Sequence, residues 1–149
     1  MAVRVIMLFF LVFFSLMAFA DTLTGKVVKI TDGDTLYVLD ANYKEHKIRL
    51  AGIDAPERKQ AYGLASRKHL ASIVVGQQVT VEYQKRDRYG RIVGKVLLDG
   101  IDVCLEQVKV GFAWHYKKHQ HEQSPEDRRL HADPKTRHCM MRSVMAETA

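Results

Sequence analysis

From Leu23 to Ala51 the chain alternates apolar and polar residues in three short runs, broken at Asp32-Gly33-Asp34 and again at Asp40-Ala41-Asn42. A period of two sends successive side chains to opposite faces, so these runs read as strands, and Asp-Gly between the first two signals a hairpin. In Thr35 to Leu39, Leu36 and Val38 share one face and Tyr37 takes the other; in Glu45 to Ala51, Ile48 and Leu50 oppose Arg49. The three runs form a meander.

Beyond the polar loop that follows Asp54-Ala55-Pro56-Glu57, the spacing predicts a helix from about Ala61 to Val75. Its apolar stripe is Ala61, Leu64, Ala65, Ala71 and Val74, and Gly76 is its stop. Val79, Val81 and Tyr83 alternate into a fourth strand, the charged turn from Arg86 to Arg91 leads to a fifth, Ile92 to Leu98, and Asp99-Gly100 ends it. Asp102 can cap a short helix from Val103 to Val110, and Ser124-Pro125-Glu126-Asp127 has the cap, proline and acids of another helix start, with Pro134 soon after. Three strands, a helix, two strands and a helix predict an α+β chain: a five-stranded OB-fold β-barrel with two or three helices.

The segment from Val3 to Ala20 has Arg4 as its only charge, an apolar run from Val5 to Leu16, and the small-x-small ending Ala18-Phe19-Ala20. That pattern predicts a signal peptide over 1–20 and export, secreted or periplasmic, with the membrane met only in transit; the competing reading is an uncleaved anchor. One globular domain is then expected over 21–132, with an atypical tail of uncertain structure over 133–149. The chain's 149 residues, 47% hydrophobic and 27% charged with three prolines, exclude a long disordered chain, a collagen-like repeat and a polytopic membrane protein, and 23 Lys+Arg against 17 Asp+Glu make it basic. An exported basic protein suits an anionic partner, and nucleic acid, acidic lipid and acidic polysaccharide all qualify. Cys104 and Cys139 allow one disulfide in an oxidising compartment, and the irregularly spaced histidines from His115 to His138 give no zinc pattern.

Charge gathers at the strand ends: Asp32 and Asp34 in the first turn, Arg49 on the third strand, Asp54 and Glu57 just after it, Arg91 after the fourth. Carboxylates brought to one barrel rim repel unless a cation joins them, and oxygen donors suit Ca²⁺ better than a soft metal. Two guanidinium groups facing such a site match phosphate, whose transition state in phosphodiester cleavage gathers charge on its equatorial oxygens. Glu57 can take a proton from, or orient, the attacking water. Singly, each part also reads as an ordinary turn or surface charge; their joint occurrence reads as a hydrolase.

Asp32-Gly33-Asp34-Thr35, the run Arg49-Leu50-Ala51-Gly52-Ile53-Asp54-Ala55-Pro56-Glu57, and Asp87-Arg88-Tyr89-Gly90-Arg91 together resemble the staphylococcal nuclease-like (thermonuclease) family, over about Leu23 to Leu130. The resemblance implies Ca²⁺-dependent hydrolysis of DNA and RNA by a micrococcal-nuclease-like endonuclease that leaves 3′-phosphate ends. It implies Asp34, Asp54 and the backbone carbonyl of Ala55 as metal ligands, Asp32 beyond them, Glu57 as general base, and Arg49 and Arg91 as phosphate-clamping catalytic residues. Asp87, Arg88, Tyr89 and Tyr116 fall at substrate-binding positions, and Trp114 is a further aromatic nearby. Relatives usually end in a longer amphipathic helix and a Gly-Leu-Trp-like anchor, whereas this chain runs Ala132-Asp133-Pro134-Lys135 and on to Cys139. The alternatives to a nuclease are a single-strand-binding OB module that does not cut, and an unstable remnant with a replaced C-terminus. A monomer is expected.

Overall fold

The computed structural model describes residues 20–118 and 123–133; all but the last residue of the leader expected over 1–20, the tail beyond 133 and Cys139 lie outside the described residues. Strand β1 (Asp21–Asp32) turns into β2 (Thr35–Leu39), and β2 pairs in turn with β3 (Glu45–Leu50), both antiparallel as the meander requires. After the short β4 (Ile53–Asp54) and helix α1 (Gly63–Val74) come β5 (Gln78–Arg86) and β6 (Ile92–Leu98), which pair antiparallel. The short β7 (Ile101–Asp102), α2 (Val103–Lys109), the short β8 (Trp114–His115) and α3 (Pro125–Ala132) follow.

The sheet order β3-β2-β1-β5-β6-β7 closes on itself because β3 also pairs parallel with β6, Arg49 lying opposite Val93. Among the described residues the result is the expected α+β OB-fold barrel of five principal strands with three helices, plus three two-residue strands too short for a period to reveal. Closure matters for function, because it sets Arg49 beside the start of β6 and the charged loop before it. Leu36, Val38, Ile48 and Val81 point inward and are fully buried. Each such side chain stabilises the barrel by roughly 1.5–3 kcal/mol relative to exposure.

Two Asp/Gly hairpins in this chain work in different ways. Asp99 (φ 49°) and Gly100 (φ 81°) both lie in the left-handed region and join β6 to β7, the backbone that a tight primed turn demands. The loop between β1 and β2 is Gly33-Asp34, and neither residue has positive φ. Gly33 is required by close packing: a Cβ there would lie 1.8 Å from Ser66 Oγ and 3.0 Å from Ala55 Cβ.

That contact also corrects the first helix. It starts at Gly63, two residues later than the spacing predicted, and buries Gly63, Ser66, Leu70 and Val74, leaving Leu64 at 49% exposure. Ser66 takes the inner place because its hydroxyl donates to the Phe112 carbonyl at 2.7 Å, so a polar residue sits where the apolar stripe had suggested otherwise. The other two helices start as read: Asp102 accepts from the Leu105 N–H at 3.1 Å, and Ser124 from the Asp127 N–H at 3.0 Å. Lys95 ties α3 to the barrel through Asp127 at 2.7 Å, with Asp102 at 3.6 Å from the same ammonium. Among the described residues no helix is long and apolar enough to cross a membrane.

Candidate active site

Asp34 leaves the first hairpin with its carboxylate pointing into the protein. It is 7% exposed, accepts from the Thr35 hydroxyl and from the Ala55 backbone N–H, both at 2.9 Å, and thereby ties the β1–β2 turn to the segment after β4. Arg49, on the outward face of β3, bridges the same two segments. Its Nη2 lies 2.9 Å from Asp54 Oδ1 and 3.3 Å from Asp34 Oδ2, while Nη1 donates to the carbonyl oxygens of Leu50 and Ile53 at 3.1 and 2.9 Å. Two carboxylates from separate loops therefore meet on one guanidinium nitrogen, as expected if they form one site.

Asp54 is partly withdrawn from water. Burial pushes the Asp54 carboxyl above its ordinary value of 3.8; Arg49 opposes that shift, Asp34 adds to it, and the net displacement is upward. A cation beside Asp54 would favour its charged form against that burial, and the hard oxygen donors of Asp34 and Asp54 suit a divalent ion such as Ca²⁺. The donor set therefore fits the metal that the motifs imply. Among the described residues there is, however, no group of three or more His, Cys, Asp or Glu side chains placed to hold a metal. A backbone donor, such as the Ala55 carbonyl, would be needed beside the two aspartates.

The second arginine is positioned by its own loop. Asp87 Oδ2 accepts from Arg91 Nε at 2.7 Å, and Asp87 Oδ1 from the backbone N–H groups of Tyr89 and Arg91 at 2.9 and 3.0 Å. Burial works to raise the Asp87 carboxyl, but the Arg91 side chain and these N–H groups hold it below the usual carboxylate value. Tyr89, 68% exposed, has the guanidinium carbons of Arg88 and Arg91 at 4.8 and 5.4 Å from its ring centroid. Asp87 and Tyr89 thus hold the two arginines in place.

Arg49, Asp54, Asp87, Arg88, Tyr89, Arg91 and Tyr116 line one open cleft of about 660 Å³. Asp34 and Ala55 are buried and do not line it. Glu57 is exposed on the loop after β4; its N–H donates to Gln60 Oε1 at 2.7 Å, and its carbonyl accepts from the Gln60 N–H at 2.8 Å. It stands outside the residues that line the cleft. Trp114 pairs with Asp54 across β4 and β8 but does not line the cleft either. Cys104 is buried, which pushes its thiol far above the ordinary value.

Three cleft cations, Lys85, Arg86 and Lys118, were missed in the sequence because they flank the recognisable motifs instead of belonging to them. Gln107 was missed because a polar residue on a short helix looks like surface. It is fully buried, and its Nε2 donates to the Gly33 carbonyl at 2.8 Å.

A family model described as staphylococcal nuclease homologue matches residues 47–138. The match takes in Arg49, Asp54, Glu57 and Arg91 and begins after the Asp34 turn. The chain is similar to an uncharacterized endonuclease of Escherichia coli, 49% identical over 96 residues, or 64% of this chain and 62% of that one. An uncharacterized endonuclease of Haemophilus influenzae is 44% identical over 99 residues, 66% of this chain and 56% of its own. A micrococcal nuclease of Shigella flexneri is 40% identical over 114 residues, 69% of this chain and 63% of its own. The chain thus spans less than two thirds of the length of each of these relatives.

Proposed function

Because this chain belongs to the staphylococcal nuclease family, we propose that it is an exported Ca²⁺-dependent endonuclease that hydrolyses DNA and RNA to leave 3′-phosphate ends. The observation that carries this reading is the convergence of Asp34 and Asp54 on Arg49, in a cleft that Arg91 also lines. A site that only bound a polyanion would gain nothing from carboxylates facing it.

Asp34, Asp54 and the Ala55 backbone carbonyl are the donors that would hold Ca²⁺, which when bound supplies positive charge to polarise the phosphate. Arg91, whose Nε alone is committed to Asp87, binds the non-bridging oxygens through its paired Nη donors, and Arg49 joins it by exchanging a carboxylate contact of Nη2 for phosphate; their grip strengthens as charge builds on those oxygens in the transition state. Glu57 orients the attacking water or takes its proton. The bond from phosphorus to the 5′-oxygen breaks, so one fragment keeps the phosphate on its 3′ end and the other leaves with a 5′-hydroxyl. Asp87 keeps the Arg91 guanidinium aimed, while Tyr89 and Tyr116 offer aromatic surface to unstacked bases. Export is supported by the apolar, small-residue-terminated pattern of residues 3–20.

Incubating the purified protein with end-labelled single-stranded DNA, with Ca²⁺ or with chelator, tests the reading. Ca²⁺-dependent fragments whose 3′ ends release phosphate to a phosphatase support it; intact DNA under both conditions overturns it. The exposed position of Glu57 outside the cleft favours a second reading, a module that retains single strands without cutting them, and the same experiment with a gel-shift arm separates the two.

A further inference from the structure

A second basic feature lies outside the cleft, on the outer face of the barrel. Lys29 on β1 is the register partner of Tyr37 on β2, and Tyr37 is the partner of Lys47 on β3. All three side chains face outward, because Ile30, Leu36, Val38 and Ile48 at neighbouring positions fill the core. The two ammonium nitrogens stand 5.2 and 5.8 Å from the centroid of the Tyr37 ring.

Among the described residues, neither lysine has a carboxylate within ion-pair distance. The ring quadrupole relieves only part of the repulsion between two ammonium groups drawn to one aromatic, by about 0.5–1 kcal/mol per exposed contact. An anion bridging them would relieve the rest. With both lysines against the ring, Tyr37 acts as the post that holds them, so the ladder presents charge instead of an open stacking surface.

The ladder is continuous with the cleft. Lys47 and Arg49 lie two apart on the same outward face of β3, about 7 Å along the strand. Arg49 lines the cleft together with Lys85, Arg86, Arg88 and Arg91. One basic stripe therefore runs from the β5–β6 loop over Arg49 to Lys47, Tyr37 and Lys29.

We propose that the Lys29–Tyr37–Lys47 ladder is a phosphate-binding track for a nucleic acid single strand leaving the cleft, so that the protein favours strands longer than the cleft alone holds. The proposal rests on the nuclease reading above and names the substrate class of that same site. Recognition along the track is by phosphate charge and is therefore indifferent to base sequence.

The test measures binding of fluorescent oligothymidylates of three and twelve nucleotides, in chelator and over a series of salt concentrations, to wild type and to Lys29→Gln/Lys47→Gln. The double variant is expected to lose about tenfold in affinity for the twelve-mer relative to the three-mer at low salt. Its salt slope for the twelve-mer should be shallower by about 1.4, since each single-strand phosphate contact carries about 0.7. Tyr37→Leu, which keeps both charges but removes their post, should fall between the two. Matched thermal unfolding midpoints establish that the variants are folded. A double variant that keeps the wild-type length preference and slope overturns the track while leaving the cleft reading intact, as does an equal loss for both lengths. Wild-type protein that binds neither length overturns both.

Discussion

Gln107 and Gly33, 74 residues apart in the chain, are joined by a hydrogen bond of 2.8 Å from the buried glutamine amide to the turn carbonyl. His69 contacts the other end of the same amide through Nδ1, and Ser66 fills the space beneath the turn. The residue that follows Gly33 is Asp34, so the loop holding the buried carboxylate is fixed from below by α1 and α2.

Replacing Gln107 tests that support. Gln107→Glu keeps the shape but cannot donate to Gly33, and it sets a carboxylate oxygen against a carbonyl. Leaving one buried acceptor unpaired costs about 1–3 kcal/mol. Denaturant unfolding should show at least that loss for Gln107→Glu, together with weaker Ca²⁺-dependent activity if the Asp34 turn shifts. A variant as stable as wild type would mean that the turn stands without α2.

Arg49 carries a different burden, since it is the counter-charge of Asp34 and Asp54 and, on the proposed reading, a phosphate clamp as well. Arg49→Ala should lower kcat on single-stranded DNA by about 10²–10³, the range for losing one well-placed donor to transition-state charge. Arg49→Lys keeps the charge but loses the fork, and is expected to recover only part of that activity. Unchanged turnover in Arg49→Ala, measured at saturating Ca²⁺ on folded protein, would remove Arg49 from the chemistry.

How far these roles were legible depended on whether a residue belongs to a local pattern. The alternation around Leu36 and Ile48 fixes which face of β2 and β3 is buried, and so puts Arg49 outside before any tertiary contact is known. The meeting of Asp34 with Asp54 follows from the β2–β3 register, which sets Thr35 opposite Arg49, and from the turn of the chain after β3, which periodicity does not state. Ser66 and Gln107 were hidden because their burial is settled by partners more than thirty residues away. Propensity sees a serine and a glutamine, where the fold needs a donor under Phe112 and another under Gly33. The exposed side chain of Glu57 was equally hidden, since its position follows from how the loop folds back on Gln60.

The docking of α3 should be sensitive to acid. Burial pushes the Asp102 carboxyl up, but the adjacent His131 ring, the Leu105 N–H and Lys95 pull it further down, to below the ordinary 3.8. His131 Nε2 stands 3.8 Å from the carboxylate, beyond hydrogen-bond length, so its pull is that of a nearby ring and not of a bond made. A depressed carboxyl contributes stability that is fully present above its unfolded value and is lost as pH falls through the folded one. Asp102→Asn keeps a competent cap for α2 and removes the charge. The stability gap between wild type and variant, read from urea midpoints, should be largest near neutral pH and close as pH drops below about 4. A gap that does not change with pH would assign Asp102 a capping role alone.

Gly33 gives the sharpest test of why the first turn has its sequence. If glycine were there for backbone freedom, Gly33→Ala would cost no more than the roughly 1–2 kcal/mol of a left-handed residue. Its φ is not positive, however, and the added methyl would lie 1.8 Å from Ser66 Oγ. Something must move, and the turn that moves carries Asp34. Overpacking of this kind costs about 1–3 kcal/mol or more. Ser66→Ala removes the nearest atom but leaves Ser66 Cβ at 2.8 Å from the new methyl, so the double variant Gly33→Ala/Ser66→Ala should recover only part of the loss. Gly90 is the control: its φ of 77° makes alanine strained, yet nothing lies within 4 Å of the added Cβ. Unfolding midpoints should therefore show coupling between positions 33 and 66, and Gly90→Ala should fall in the same small range whichever residue occupies position 66. Additive effects at 33 and 66 would place the origin of the Gly33 requirement in the backbone after all.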